Sequence, residues 1–422
     1  MSLELIILLS MLVVFALSIF VFKLPSGVAM ALAAVVGALI DGEGFPVRHL
    51  VEGAFGYLDA LMIIATAMIF MKVIEATGAL GTISYAMVKT FYRSPTMLMI
   101  IVAFFVMFPG MLTGLSSACI LTTGALVAPA LVGMGIPAVV VGMFIAMMAV
   151  FGMIAPPINI PVMIIGSGVD MPYVGFEKPL MLLTFPLAII TALYVRFRYV
   201  KKINVDEVLS KLPPSLYKKH GIKLFIPIIF VIGVMVSVRF APEYIPDYGI
   251  PLIFMLGAVI GIWTGEKVPV IRASQTAIRE SLPVIGILVG VGMFVQIMTL
   301  TGVRGYLAVL ALDLPPEFLY PGIALIMPAM GSAYAASSVV GVPLVFLFLG
   351  RNEIVVTSAL SLIAGLGDLM PPPSLLTVFA AQLLGIKNHF QILKAAIFPI
   401  LLSLLLGIFM IIYAEKIGLL LQ

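Results

Sequence analysis

Charge is scarce in this sequence: acidic and basic residues make up 10% of its 422 residues, against about 25% in soluble domains. The single cysteine, Cys119, excludes an internal disulfide and a cysteine-built metal cluster. The three histidines, His49, His220 and His389, lie in polar connections, so a histidine metal site or proton relay is not indicated. The formal charge of +4 is too small to indicate nucleic-acid binding.

Apolar residues take the place of charge. They make up 63% of the sequence and form runs long enough to cross a bilayer, which requires about 20 residues. A chain in lipid must satisfy its own backbone hydrogen bonds, and a helix does so. The sequence therefore predicts an all-α polytopic membrane protein. We interpret residues 4–22 as a retained first span, because Glu4 precedes the run and no basic region or cleavage site frames it.

The two halves of the sequence resemble each other. Thr77-Gly78-Ala79-Leu80-Gly81 matches Thr301-Gly302-Val303-Arg304-Gly305, and Phe70 matches Phe294 at the same spacing. Similar units in the same order indicate an internal duplication. A polar, basic stretch joins the two copies. We therefore expect a first repeat, a linker and a second repeat over residues 1–200, 201–221 and 222–422.

Each predicted repeat contains one apolar run that is too long for a single span and another that prolines interrupt. The long runs, near 95–133 and 317–349, turn at small residues in their middle, which predicts re-entrant helical hairpins. The interrupted runs, 137–170 and 354–386, predict broken helices, because proline removes a backbone donor and clashes with the preceding turn. Shorter charged stretches predict interfacial arms at 45–57, 79–93, 267–279 and 302–314.

The number of spans sets the orientation of the repeats. Five spans and one hairpin give each repeat an odd number of crossings, so the second repeat is predicted to be inverted. Most of the 23 basic residues then lie on the side of the linker, as the positive-inside rule requires. We expect a cytoplasmic linker and both termini outside, in the cytoplasmic (inner) membrane of a bacterium or archaeon. Inverted repeats with broken helices are typical of secondary transporters, whose site lies at mid-membrane.

Two short segments of small and polar residues interrupt the apolar background. The first tip is Gly114-Leu115-Ser116-Ser117, and the second tip is Gly331-Ser332-Ala333-Tyr334. Ser117 and Ser332 are 215 residues apart, and so are Pro156 and Pro371 in the broken helices. Polar groups and interrupted backbone are costly in lipid unless they line a site. We therefore expect the tips and the broken helices to meet as two half-sites of a transport centre.

The half-sites are predicted to hold a cation and an anion. Free carbonyls, hydroxyls and a carboxylate suit a hard cation such as Na⁺, whereas helix N-termini favour an anion. The candidate cation ligands are Ser116, Ser117, Pro156, Asn159, Gly331, Ser332, Asp368, Pro371 and Thr377. The candidate substrate ligands are Thr113, Gly114, Ser116, Asn159, Ser337 and Ser374. Each serine has an alternative role as a small packing residue that bonds within its own helix.

Asp368 is the only carboxylate deep within an apolar run. An ionised aspartate at mid-bilayer costs about 2.5–3.5 kcal/mol on insertion scales, so this side chain is expected to be protonated or bound to a cation. We interpret it, with Ser117 and Ser332, as part of a Na⁺ site, H⁺ being the alternative coupling ion. A neutral aspartate that caps the broken helix is the structural alternative. No nucleophile–base pair shares a depth, so an enzyme is not indicated.

In these residues the sequence resembles the large membrane subunit of TRAP transporters, the tripartite ATP-independent periplasmic transporters, within the ion-transporter superfamily. The resemblance covers almost the whole chain. It is strongest at Gly114 to Ser117 with Pro129-Ala130-Leu131, at Gly152 to Pro157, at Gly166, at Phe176 to Leu180, and at Gly367 to Pro372.

The resemblance implies an elevator-type transporter, in which a scaffold carries a mobile domain of hairpins and broken helices. It implies Na⁺-coupled uptake of a carboxylate, such as a C4-dicarboxylate, or of a related organic anion. It also implies two partners, a small four-helix membrane subunit and a periplasmic substrate-binding protein. No cofactor other than the coupling ion is implied, and the sequence does not identify the substrate.

Two other functions are compatible with the same residues. A stand-alone cation-coupled anion carrier of the same superfamily would work without a binding protein. A channel would require the two hairpins to close a continuous pore. Dependence of uptake on an added binding protein separates the carrier from a TRAP system, and currents beyond carrier turnover would indicate the channel.

Overall fold

The computed structural model describes residues 2–200, 205–240, 246, 248–312, 316–348, 350–371 and 374–421. All regular structure in these residues is helical, and no strand occurs among them. The all-α class predicted from the sequence is therefore confirmed. Residues 201–204 of the predicted linker, and Pro372 and Pro373 of the second proline motif, lie outside the described residues.

The first half of the chain and the linker form helices α1 to α13, with a π-helix at Ile120–Gly124 between α7 and α8. Their bounds are α1 (Leu3–Phe20), α2 (Ser26–Asp41), α3 (Val47–Phe55), α4 (Leu58–Thr77), α5 (Ala79–Phe91), α6 (Pro95–Thr113), α7 (Ser116–Cys119), α8 (Ala125–Gly133), α9 (Ala138–Ile154), α10 (Ile160–Gly168), α11 (Glu177–Tyr199), α12 (Val205–Ser210) and α13 (Tyr217–His220).

The second half forms helices α14 to α25, with a π-helix at Ala336–Gly341 between α19 and α20 and a 3₁₀ turn at Leu366–Leu369 after α21. Their bounds are α14 (Ile226–Phe240), α15 (Ile250–Gly261), α16 (Val270–Leu300), α17 (Val303–Leu312), α18 (Pro316–Ala329), α19 (Ala333–Ala335), α20 (Val342–Leu347), α21 (Glu353–Gly365), α22 (Leu375–Leu384), α23 (Phe390–Ala395), α24 (Ile397–Ile412) and α25 (Ala414–Leu421).

The linker is fastened to both halves. Helix α12 packs on α5 and α8, and the backbone N–H of Leu216 donates to the Thr82 hydroxyl at 3.0 Å. Lys219 and His220 bond the carboxylate of Glu266 at 2.5 and 3.1 Å. The hydrogen bond from Lys219, followed by that from His220, holds the pKa of the Glu266 carboxyl below its ordinary value. The linker therefore has a fixed path over the part that the structure describes.

Several helices are suited to a membrane. Among the described residues, six segments are long and apolar enough to cross it: Leu58–Thr77, Pro95–Thr113, Ser116–Gly133, Glu177–Tyr199, Tyr217–Val238 and Val270–Leu300. Helices α24 and α25 meet at 84° and together can count as a seventh. The protein is thus a multi-pass membrane protein. The predicted number of crossings and the inverted orientation of the repeats stay predictions.

The order of helices is the same in the two halves. A hairpin, α6 with α8 or α18 with α20, precedes a helix that breaks, α9 to α10 or α21 to α22. A short helix and then a π-helix follow the tip of each hairpin. π-Helices are rare and occur frequently at functional sites. The same irregularity at the same place in both halves is what a duplicated chain predicts.

The arm predicted at 267–279 is not a separate helix. It is continuous with the following span in α16, because no glycine lies between Val270 and Leu282 to end the helix. Pro283 removes one backbone donor but does not end α16 either. The arm predicted at 45–57 does end, at Gly56, where α3 gives way to α4.

Helix α16 crosses α2 and α3 at very short range. A Cβ atom added to Gly27 would lie 2.0 Å from the carbonyl oxygen of Gly286, and one added to Gly290 would lie 2.1 Å from that of Gly27. A Cβ atom on Gly292 would lie 1.9 Å from the carbonyl oxygen of Gly53. Small residues allow such close backbone contact between membrane helices. These contacts join the first half of the chain to the second.

Candidate functional site

The first tip is the turn between α6 and α7. Helix α6 ends at Gly114, whose positive φ of 67° suits a residue without a Cβ. The Thr113 hydroxyl donates to the Pro109 carbonyl at 2.8 Å and accepts from the Leu115 N–H at 3.2 Å. Ser116 then begins α7. The Thr113 side chain is therefore engaged within the tip, and the hydroxyl of Ser116 is left to bond another element.

The second tip is the turn between α18 and α19. Gly331 has a positive φ of 68°, and the Ser332 side chain at the N-cap of α19 accepts from the Ala335 N–H at 3.5 Å. The Ser337 hydroxyl donates to the Ala333 carbonyl at 2.8 Å. The serine hydroxyls of this hairpin thus bond within it. The backbone N–H of Ala333 bonds elsewhere.

The first break, residues 155–159, separates α9 from α10, and Asn159 bridges it. Its side-chain oxygen accepts from the Val162 N–H at 2.9 Å, and its side-chain nitrogen donates to the Ile154 carbonyl at 2.9 Å. The same nitrogen donates to the hydroxyl of Ser361 on α21 at 3.0 Å. Asn159 is fully buried. A single amide therefore satisfies groups at both helix ends that the break leaves open.

Neighbouring elements hold the rest of the first break. The Tyr173 hydroxyl accepts from the Asn159 N–H and donates to the Pro157 carbonyl, both at 3.0 Å. The Ile158 N–H donates to the Met111 carbonyl on α6 at 3.2 Å. All the partners in these bonds are neutral, so the first break is a joint held without charge.

The second break, residues 366–371 and Ser374, separates α21 from α22 and carries Asp368. Its Oδ2 accepts from the Ser116 hydroxyl at 2.7 Å, and its Oδ1 accepts from the Ala333 N–H at 2.8 Å. Asp368 is 5% exposed, and it is the only acidic or basic residue that is buried in the described chain. One carboxylate therefore bonds both hairpin tips.

Tyr334 adds a second link between the tips. Its hydroxyl donates to the Gly114 carbonyl at 3.1 Å, and the side chain is buried. We call Gly114, Ser116, Ala333, Tyr334 and Asp368 the tip cluster. In it, two side-chain hydrogen bonds connect residues that are more than 200 positions apart. The tip cluster thus joins the two halves of the chain at one polar point.

Ser374 lies at the other end of the second break, at the N-cap of α22. Its φ of 55° is strained for a residue with a side chain. The side chain is fully buried and its Oγ has no hydrogen-bond partner. The Thr377 hydroxyl donates to the Ser374 carbonyl at 3.0 Å and does not reach that Oγ. No described side chain therefore caps the N-terminus of α22. The unpartnered Ser374 hydroxyl lies beside that N-terminus.

The structure brings some of the predicted site residues together and leaves others apart. Gly114, Ser116 and Asp368 meet in the tip cluster. Ser117 is half-buried, and its hydroxyl forms no hydrogen bond to the described chain. Ser337 bonds only the backbone carbonyl of Ala333 in its own hairpin. Several other predicted residues have, within the described chain, no side-chain bond to Asp368, Ser116 or Tyr334: Thr113, Ser117, Pro156, Asn159, Gly331, Ser332, Pro371, Ser374 and Thr377. Their binding roles stay predictions.

Three groups that the sequence did not single out contribute to the site. They are the Tyr334 hydroxyl, the backbone N–H of Ala333 and the Ser361 hydroxyl. A tyrosine in a tip of otherwise small residues is the one available signal among them. A backbone amide leaves no mark in a sequence, and Ser361 lies 202 residues from Asn159, its partner.

The tip cluster has the chemistry of a cation site. It contains a carboxylate, a hydroxyl and the carbonyl of Gly114 at a helix end, and hard cations take oxygen ligands. No lysine, arginine or histidine bonds Asp368 within the described residues. The Ser116 hydroxyl and the Ala333 N–H, both neutral, are its partners, so an ionised Asp368 would need a counter-charge from solution.

Comparison with known proteins bears on the family and the fold. Residues 2–200 match the family model described as "Tripartite ATP-independent periplasmic transporter, DctM component", which confirms the resemblance predicted from the sequence. The fold is similar to that of the YdaH transporter of Alcanivorax borkumensis, whose crystal structure is described as revealing an unusual topology. The TM-score is 0.63, at 17% identity over 88% of each chain. No curated protein matches the chain by sequence.

Proposed function

Because residues 2–200 match the family model of the DctM component, we propose that this chain is a DctM-type component of a TRAP transporter and that it couples cation entry to uptake of a small organic anion. The proposed cation is Na⁺, with H⁺ as the alternative. The proposed substrate is a carboxylate, such as a C4-dicarboxylate, or a related anion. The family consists of secondary transporters in the inner membrane. The identities of the ion and of the substrate are part of our proposal.

The burial of Asp368 between the two tips carries the proposal. Leaving an ionised carboxylate unpaired in a low-dielectric interior costs several kcal/mol. A cation bound to Asp368 and to the oxygens of Ser116 and Gly114 would remove that cost. Because these oxygens come from different halves of the chain, the bound ion would also hold the halves together. Such an ion would favour one arrangement of the tips over another, which is the requirement for coupling.

The substrate anion requires donors, and no arginine or lysine donates to either tip or either break in the described residues. The N-terminus of α22 favours negative charge, and the unpartnered Ser374 hydroxyl lies beside it. We therefore assign a substrate carboxylate to this helix end. Thr113, Asn159 and Ser337 are further candidate donors, but their side chains are already bonded and would have to exchange partners.

The proposed motion is an elevator. Helices α2, α3 and α16 are locked by glycine contacts, and they suit a scaffold. The hairpins and broken helices, joined through the tip cluster, suit a unit that moves against it. We propose that this unit carries ion and substrate across together.

The proposed partners are a small four-helix membrane subunit and a periplasmic substrate-binding protein, as the DctM match implies. A stand-alone carrier would transport without them. The two possibilities differ in one measurement, which is whether uptake by the purified chain requires the added partners.

The decisive experiment is uptake into proteoliposomes with imposed gradients. The purified chain, alone and with candidate partners, is tested with labelled dicarboxylates under an inward Na⁺ gradient, an inward H⁺ gradient, or neither. We expect saturable uptake that depends on one of the two gradients. Uptake that ignores both gradients would contradict the proposal. Currents that follow voltage without saturating would indicate a channel.

Ser374 tests the substrate site separately. Ser374→Ala removes the unpartnered hydroxyl, so it is expected to raise the half-saturating substrate concentration about tenfold, the loss of one good hydrogen bond. The half-maximal cation concentration should stay unchanged. Thr377→Val, which removes a hydroxyl bonded within the same helix, is the matched control. Equal effects of the two variants would argue against a substrate ligand at Ser374.

A further inference from the structure

Two side chains from outside the first broken helix hold the last turn of α10. Tyr57, between α3 and α4, donates to the Ile164 carbonyl at 3.2 Å. Arg304, on α17, donates through its guanidinium to the Gly168 carbonyl. Both acceptors lie in the C-terminal half of α10, and the C-terminal end of a helix attracts positive charge. The end of this helix is thus bonded from two directions.

Arg304 also contacts the second hairpin, at helix α20. Its guanidinium lies over the Phe346 ring of α20, 5.6 Å from the centroid, and it donates to the Thr299 hydroxyl at 2.9 Å. Helix α20 approaches α10 so closely that a Cβ atom on Gly168 would lie 2.4 Å from Val342. Arg304 therefore sits where α17 meets both the first broken helix and the second hairpin.

This arrangement exists in one half of the chain. At the position that matches Arg304 in the duplicated arm, α5 carries Leu80, which is buried and cannot donate a hydrogen bond. Packing of the arm does not need an arginine, because a leucine fills the equivalent place. The arginine thus supplies the bond to α10.

We propose that Tyr57 and Arg304 form a latch, which fixes α10 against α4 and α17 in the conformation described here. Asn159, the last residue of the first break, caps the start of α10 and bonds Ser361 on α21, so the latch also fixes the position of the first break. The latch rests on the proposed function in one respect: a unit that moves past the scaffold must release it in each cycle. Release breaks hydrogen bonds without covalent change, so the latch is reversible.

Arg351 provides a matched control within the same chain. It donates to the Ile411 carbonyl near the end of α24 at 3.0 Å and to the Tyr320 hydroxyl at 3.2 Å. It also lies over the Phe348 ring, 5.4 Å from the centroid. Arg351 therefore makes the same kinds of contact as Arg304, but all of its partners belong to the second half.

The test is hydrogen exchange on the full-length protein in lipid nanodiscs, with Arg304→Leu, Tyr57→Phe and Arg351→Leu. We expect Arg304→Leu to speed exchange of the amides from Gly168 to Met171 about tenfold, as loss of a charged hydrogen bond implies. Tyr57→Phe is expected to speed exchange in the same turn by a smaller factor. Arg351→Leu should leave α10 unchanged and loosen the end of α24.

Equal loosening of α10 in the two arginine variants would overturn the latch, and so would unchanged exchange in both Arg304→Leu and Tyr57→Phe. If Arg304→Leu does not fold, Tyr57→Phe, which removes one hydroxyl, decides. In proteoliposomes the latch variants should change the maximal uptake rate and leave the half-maximal cation concentration unchanged. An unchanged maximal rate would contradict the release step. Absence of gradient-driven uptake in the unaltered protein would refute the proposed function and leave the exchange result standing.

Discussion

The two broken helices occupy matching places in the chain and satisfy their open ends in opposite ways. In the first break, the Asn159 side chain bonds the end of α9 and the start of α10. In the second break, Asp368 turns outward and bonds the tips of both hairpins. The residue that matches Asn159 at a spacing of 215 is Ser374, whose Oγ has no partner. The residue that matches Asp368 is Met153, which is buried and apolar.

The difference is what we expect if a duplication supplied the architecture and later substitutions gave the two breaks different roles. A break whose amide bonds both of its helix ends can be stable without a ligand, since the buried side-chain groups at those ends are paired. A break with an uncompensated carboxylate and an unpartnered hydroxyl is stabilised by whatever binds there. We therefore propose that the first break is a structural joint and that the second is the place where ion and substrate bind.

Asp368→Asn should have the largest effect of the variants that test this difference, because it makes the second break as neutral as the first. The half-maximal cation concentration for uptake should rise at least about a hundredfold, since roughly 3 kcal/mol of charge-assisted binding is lost. The measurement is initial uptake rate against cation concentration in proteoliposomes. Unaltered cation dependence in this variant would remove Asp368 from the coupling site.

Asn159→Ala should act on stability alone. It leaves the Ile154 carbonyl and the Val162 N–H without their side-chain partner, which is expected to lower the free energy of unfolding by about 1–3 kcal/mol. Thermal unfolding in detergent measures this. Ser374→Ala is the control, because its hydroxyl bonds nothing, so a change within about 0.5 kcal/mol is expected. A shift in cation dependence with Asn159→Ala would show that the first break is more than a joint.

Ser116→Ala should have the smallest of these three effects. It removes one hydrogen bond to a charged group, and the half-maximal cation concentration should rise about tenfold. Ser117→Ala and Ser332→Ala, at the two serines first predicted as ligands, test the same property. Because the Ser117 and Ser332 hydroxyls do not bond Asp368, their shifts should be smaller. A larger shift in either would mean that the ion lies away from the tip cluster.

Much of the fold could be predicted from the sequence, because lipid leaves a chain few choices. The hairpin tips at Gly114 and Gly331 and the breaks near Pro156 and Pro371 all fall where glycine and proline indicate them. The π-helices could not be predicted, since they differ from α-helix by one residue of register and have no residue signature. The continuous α16 was missed because interfacial charge resembles a helix end without causing one.

The site was predicted in part, for a physical reason. Asp368 could be predicted from the sequence, because an acidic residue within an apolar run is costly in lipid and therefore indicates a function. Ser116 and Ser117 were both predicted as cation ligands, and the Na⁺ site was assigned to Ser117, since spacing alone does not say which of two adjacent serines faces Asp368. In the sequence, Arg304 stood out only as one of the few basic residues predicted on the side of the membrane opposite the linker. Its acceptor, a backbone carbonyl, could not be read from any residue type.

The glycine contact between α3 and α16 has a consequence for how the protein is made. Gly53 is synthesised about 240 residues before Gly292, which at roughly 5–20 residues per second is a delay of about 12–48 s. Through that interval the face of α3 around Gly53 lacks the helix that it packs against in the folded chain. Lipid or the insertion machinery must cover this face until the ribosome has delivered α16. A nascent chain that stalls at the linker would therefore be a ready target for membrane proteases.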